Sequence, residues 1–203
     1  MTIQTSAVRE MIERVIELSR TYAIWWALVN QQNFEKYRAV INGHSDFFEA
    51  TTHSLFQGFS VITYQLFETR RRKRDTNSIP RLIDDLKSSD AALARQLELA
   101  VDENRPLLGN FFDIRGSVYA HRNKAKTPER VFAAAGVSAK KMQAVVALAQ
   151  DLVATLGEAA GVDAKRELAA DIKLREEFSA EDTRRIMEAL RNHEFSRPDV
   201  TKT

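Results

Sequence analysis

The pair of side chains with the most chemical reach in this sequence is Arg115 and His121, set six positions apart. An imidazole titrates near neutrality, so it can take up and return a proton. A guanidinium stays charged and can hold negative charge on an oxyanion. Both lie in the stretch RPLLGNFFDIRGSVYAHRNK, residues 105–124. Pro106 suits a helix start, where a missing N–H costs little. Phe111, Ile114 and Val118 then follow at the spacing of one helical face. At about 100° per residue, Arg115 and His121 stand roughly 120° apart, one on each margin of that apolar line. Polar groups at the edge of a buried stripe are costly unless they are hydrogen-bonded or used. One reading puts Arg115 against a carboxylate of a neighbouring helix and leaves His121 as a satisfied margin residue. The other puts both to work.

The elements that must position this pair read as helices. Only seven glycines and four prolines occur in 203 residues, and no alternation of strand type persists. Ser6 reads as a cap for a first helix with Val8, Met11, Val15, Leu18, Tyr22, Trp25 and Val29 as its seam. That seam is either the core line of a bundle, the reading periodicity favours, or a dimer seam. Trp25 and Trp26 read as core and interface anchors. Asn42-Gly43 marks a turn, and Ser45 or Asp46 caps the next helix. This helix carries Phe48, Leu55, Phe56, Phe59, Ile62, Leu66 and Phe67, a stripe wide enough for a central place.

It runs into Arg70, Arg71, Arg72, Lys73 and Arg74, which are either a solvated helix end or a grip for phosphate. Ser78 and Pro80 open a short helix, on which Asp84 and Asp85 read as surface carboxylates. Ser88 to Asp90 start another, through Leu93, Leu97 and Val101. Beyond His121 lies a basic link of Arg122, Lys124 and Lys126. Thr127-Pro128-Glu129 caps a brief helix that Gly136 ends. Ser138 caps the next, whose stripe is Met142, Val145, Ala149, Leu152 and Leu156, closed by Gly161. From Asp163 the charges thicken, with Phe178, Ile186, Met187 and Leu190 as one apolar patch. The expected organisation is a helical bundle over residues 1–162 and a helical, partly flexible appendage over 163–203, frayed from about Ser196.

Composition closes off several function classes. Without cysteine there are no disulfides and no thiolate metal sites, which fits a reducing compartment. The sequence holds no glycine-rich phosphate loop, no HExxH and no GxSxG. None of His44, His53, His121 and His193 has another histidine at ligand spacing, so neither a metal nor a cofactor is expected. The most apolar piece, residues 22–29, is too short to span a bilayer, and no signal pattern precedes it. A cytoplasmic location is the expectation. The formal net charge is only +2, so a nucleic-acid partner has to be argued from local charge.

The pattern Ile114-Arg115-x5-His121, within YAHRNK, resembles the R-x(4–6)-H motif of the HEPN superfamily. The upstream helix FFEATTHSLFQGFSVITYQLFE, followed by SIPRLIDDL, is similar to the abortive-infection branch of U type. The likeness covers roughly residues 45–158. It implies an all-α, HEPN-like bundle of about five core helices that pairs two copies. It implies a metal-independent endoribonuclease of a bacterial defence or toxin–antitoxin system. Arg115 and His121 of both protomers would then form one catalytic cleft at the dimer seam. His121 would take the proton of a ribose 2′-OH, and Arg115 would hold the charge growing on the phosphate. Tyr119, Arg122, Lys124 and the run Arg70 to Arg74 would help bind RNA, and an antitoxin protein would be a second partner. Two departures stand out. Gly116 occupies a position usually held by Asn, Asp or His, and Asn123 stands where some toxin members carry tyrosine. Gly116 keeps an alternative open: a non-catalytic module of the same fold that binds RNA, a nucleotide or a protein.

Overall fold

A seam of apolar residues three and four apart makes helix α1 (Thr5–Val29), and its first half is wholly inside: Val8, Met11, Val15 and Leu18 are fully buried. The computed structural model describes residues 3–69, 77–116 and 135–195, and all regular structure among them is helical. The later elements are α2 (Gln31–Lys36), α3 (Arg38–Gly43), α4 (Ser45–Phe67), α5 (Ile79–Leu86), α6 (Ala91–Glu103), α7 (Arg105–Ile114), α8 (Ala139–Ala159) and α9 (Ala164–Phe195). This is the all-α bundle that the sequence implies.

The main core lies between α1, α4, α5 and α8, closed by α6, α7 and the start of α9. Phe59, Leu66, Ile79, Leu82, Met142, Val145, Ala149 and Leu156 fill it, with next to no solvent contact. Burying one such side chain stabilises the fold by about 1.5–3 kcal/mol. The stripes read from the sequence for α4, α6 and α8 are therefore the faces that pack. A second, smaller core gathers Leu28, Tyr37, Val40, Phe48 and Met187 at the other end of α1.

Several helix ends differ from expectation. α1 starts ahead of Ser6, with Gln4 as N-cap and no side-chain bond. α4 starts after His44, which fills the cap position in place of Ser45 or Asp46. Ser78 does precede α5, but its hydroxyl donates to the Glu68 carbonyl at 3.0 Å and caps nothing. Asp90 and Ser138 cap α6 and α8 through their side chains, accepting from the Leu93 and Lys141 N–H groups. Gly161 takes φ +72° where α8 closes, a conformation open to glycine and strained for other residues.

The segment expected as an appendage forms α9, which makes its broadest contact along α1. Ala164, Leu168 and Ile172 enter the main core, and Met187 enters the second. The apolar patch expected on it divides. Met187 is buried and Leu190 packs beside it, whereas Phe178 and Ile186 are each 59% exposed, turned about 180° and 100° away from Met187 around the helix.

Candidate functional site

Helix α7 is held against α4 by aromatic rings. Phe111 is fully buried, with ring centroids 5.4 Å from Phe59 and 6.5 Å from Phe56. Phe112, the next residue, packs its ring against Tyr64 at 5.4 Å and 79°, an edge-to-face pair. Ile114 is also fully buried. These contacts fix the height and rotation of α7 on α4, and so the place where its next residue emerges.

That residue is Arg115. Its backbone continues the helical turn, with its N–H donating to the carbonyls of Phe111 and Phe112. Arg115 and Gly116 stand in a wider, π-type turn, a local widening common at functional sites. The side chain turns back onto α4. Its Cζ lies 4.3 Å from the centre of the Tyr64 ring, and the residue is half-buried. Among the described residues no carboxylate forms an ion pair with it. The reading in which Arg115 pairs with a carboxylate of a neighbouring helix thus finds an aromatic ring in that place.

The ring is itself anchored. The Tyr64 hydroxyl donates to Glu68 Oε1 at 2.8 Å, one turn further along. Beside it, Arg14 donates to Glu10 Oε1 at 2.7 Å and to Gln65 Oε1 at 3.1 Å, joining α1 to α4. Asn77 donates to the other Glu10 oxygen at 2.6 Å. The Asn77 bond is the main reason the Glu10 carboxyl titrates below its ordinary range. Partial burial opposes the shift, and Arg14 adds to it.

This arrangement bears on the basic stretches. Arg70, Arg71, Arg72, Lys73 and Arg74 lie outside the described residues, as do Tyr119, His121, Arg122, Lys124 and the expected Thr127 cap. Their described flanks are informative. Glu68 and Ser78, on either side of the first stretch, are joined by the 3.0 Å bond from the Ser78 hydroxyl. Ile114 and Ala135, on either side of the second, pack together with Phe56 and Val137. Lys141 Nζ donates to the Ala135 carbonyl at 3.1 Å, beside Gly136 at φ +51°. Each pair of flanks therefore has one member at an end of the α4–α7 unit that carries Arg115, Glu68 for the first and Ile114 for the second.

Of the sequence candidates, the structure describes Arg115 alone. The residues that surround it, Tyr64, Glu68 and Phe112, were not among them. Tyr64 and Glu68 stand at i and i+4 on one helix, a spacing visible in sequence, but nothing in sequence ties that pair to Arg115 on another helix. Elsewhere, Asp84 pairs with Lys87 at 2.7 Å on the surface, as expected of an ordinary carboxylate. No cluster of three metal-ligating side chains occurs among the described residues, and none of the described helices is long and apolar enough to cross a membrane. A groove of about 380 Å³ runs between α8 and α9, lined by Gln150, Ala154, Leu168, Ile172, Lys173 and Glu177 among others, with nothing from α4 or α7.

Comparison with known proteins agrees with the pattern around Arg115. The HEPN-type family model described as AbiU2 matches residues 6–192, nearly the whole chain and well beyond the part in which the resemblance was legible. No curated protein and no solved structure matches. A helical bundle, an Arg-x5-His spacing in sequence whose arginine directly follows α7, and a family match from α1 through most of α9 converge: this chain belongs to the AbiU2 family, the abortive-infection branch of U type within the HEPN superfamily.

Proposed function

We propose that the protein is a metal-independent endoribonuclease acting in bacterial defence, with Arg115 and His121 as its catalytic pair. The observation that supports this reading most is the state of Arg115. A guanidinium paired with a carboxylate would be spent on structure. This one rests on a ring face at the end of α7, directly after Ile114 and on a ring bonded to Glu68, each of them a flank of one basic stretch. An arginine so placed keeps its charge and its hydrogen-bonding edges for a phosphate.

The chemistry follows from the two residue types. The neutral His121 imidazole removes the proton of a ribose 2′-OH. The freed 2′-oxygen attacks the adjacent phosphorus, and the bond to the 5′-oxygen of the next nucleotide breaks. Arg115 holds the negative charge that builds on the non-bridging oxygens. A protonated imidazole or water returns a proton to the leaving oxygen. The products are a 2′,3′-cyclic phosphate and a 5′-hydroxyl, and DNA is no substrate because it lacks the attacking hydroxyl. Two copies of the chain, paired so that both Arg115 and both His121 share one cleft, form the working unit in the cytoplasm. Arg70 to Arg74, Tyr119, Arg122 and Lys124 contact the RNA backbone, and an antitoxin protein holds the activity in check.

Gly116 favours a second reading, a bundle that binds RNA without cutting it, because the polar side chain usual after the arginine is missing. Incubating the purified protein with single-stranded RNA in EDTA separates the two. Cleavage that His121→Ala abolishes supports the nuclease. RNA retained intact supports the binding module, and cleavage untouched by His121→Ala rejects the catalytic pair.

A further inference from the structure

We propose that Tyr64 is a positioning residue for Arg115: its ring holds the guanidinium by a face, so that the N–H edges stay open to a phosphate. The inference deepens the reading of Arg115 as the group that receives phosphate charge, and it rests on that reading. An arginine side chain has several rotatable bonds, and freezing them when RNA arrives would subtract from binding and from rate. Here the freezing is done by the fold. Arg115 Cζ sits 4.3 Å from the ring centre, inside the range in which the ring quadrupole attracts a cation.

The ring is a fixed platform because each of its parts is held. Its backbone belongs to α4, its edge-to-face partner is Phe112, and its hydroxyl donates to Glu68 Oε1. Phe112 is also one turn before Arg115, so a single helix supplies both the packing and the cation. A carboxylate at the same place would orient the guanidinium too, but it would cancel the charge and take the paired N–H groups that a phosphate needs. An aromatic face does neither. Tyr64 stands in the last turn of α4, whose carbonyl end adds a further attraction for a cation.

The test uses the full chain with a labelled single-stranded RNA, comparing Tyr64→Leu, Tyr64→Phe, Arg115→Ala and the double variant Tyr64→Leu with Arg115→Ala. Tyr64→Leu is expected to lower kcat by about tenfold or more, with KM changing less. Tyr64→Phe, which keeps the ring, is expected to restore most of that loss. In the Arg115→Ala background, Tyr64→Leu should cost nothing further, because its effect passes through the arginine. An equal loss in both backgrounds would overturn the proposal. Should Tyr64→Leu fail to fold, a ring-fluorinated phenylalanine at position 64 keeps the shape and weakens the quadrupole; a rate equal to that of Tyr64→Phe would overturn it. If wild-type protein does not turn RNA over, the nuclease reading falls. Tyr64 is then judged by the Arg115 Nε–Hε resonance, assigned by its absence in Arg115→Lys. A ring-current shift that disappears in Tyr64→Leu supports the platform, and a resonance that does not move refutes it.

Discussion

Placing a methyl group at Gly157 and at Gly116 should move stability in opposite directions, and the size of each effect can be worked from the geometry. Gly157 lies near the end of α8, where the chain turns into α9. A Cβ there would stand 2.2 Å from the Ala164 Cβ, 3.3 Å from the Val162 carbonyl oxygen and 3.4 Å from the Ala164 Cα. Carbon atoms settle at about 3.5–4 Å, so the start of α9 would have to retreat by well over an ångström. The Val162 N–H donates to the Gly157 carbonyl at 2.8 Å, and Val162, Ala164 and Leu168 anchor the elbow in the core. The retreat therefore cannot be taken up by a loose side chain. Overpacking of this kind costs about 1–3 kcal/mol, and the overlap with the Ala164 Cβ puts this case at the upper end, while the better helix propensity of alanine returns about 1 kcal/mol at most. A net loss of about 2 kcal/mol lowers Tm by roughly 4–8 °C for a chain of this size. At Gly116 no described atom lies within 4 Å of an added Cβ. Gly116→Ala should gain up to about 1 kcal/mol from propensity alone. Thermal melts followed by circular dichroism, with urea midpoints as a check, measure both. Gly157→Ala as stable as wild type would refute the close approach of α9 to α8. A loss of stability in Gly116→Ala at concentrations where the chain is monomeric would refute the open space that the described residues leave at Gly116.

Other outcomes follow from the same packing. Phe111→Ala removes a fully buried ring between Phe56 and Phe59; it should cost about 3–5 kcal/mol in urea unfolding and release the end of α7. Glu10→Gln should cost roughly half a kcal/mol at neutral pH, since the carboxylate is 38% exposed. Because the folded Glu10 titrates below its ordinary value of 4.5, its stabilisation is complete above that value and is lost as pH falls through the lower folded value. The gap between wild type and Glu10→Gln should thus close in acid, as unfolding curves between pH 7 and pH 3 would report. RNA retention should weaken steeply with salt, the logarithm of affinity falling linearly with that of salt concentration, and neutralising Arg70, Arg71, Arg72, Lys73 and Arg74 should flatten the slope.

The sequence carried the interior of the long helices well, for a physical reason. Val8, Met11, Val15 and Leu18, or Met142, Val145, Ala149 and Leu156, face one core over several turns, so the period of the helix is printed in the residues. Gly161, Asp90 and Ser138 were legible as helix ends because each answers a local backbone need. Other ends were not local. Asn30 stops α1 by accepting the Asn33 N–H and lets α2 begin, while Asn33 reaches back to the Ala27 carbonyl at 2.7 Å. Ser78 looked like a cap, but its hydroxyl was taken by the Glu68 carbonyl ten residues earlier. The packing of α9 was hidden for a similar reason. Its buried residues, Ala164, Leu168, Ile172, Thr183 and Met187, are spread thinly among charges, and the partner it touches most is the first helix, far away in sequence. At the site, Arg115 was legible from its motif. Tyr64 was not, since a ring and a guanidinium on different helices meet only once both have folded.

The most direct measurement of the catalytic claim is the chemistry of the ends left on RNA after incubation with the protein in EDTA. Wild type should leave 2′,3′-cyclic phosphate and 5′-hydroxyl termini, which are lost in His121→Ala and form far more slowly in Arg115→Ala. Termini bearing a 5′-phosphate, cleavage that needs an added metal ion, or fragments formed at the wild-type rate in either variant would contradict the catalytic pair.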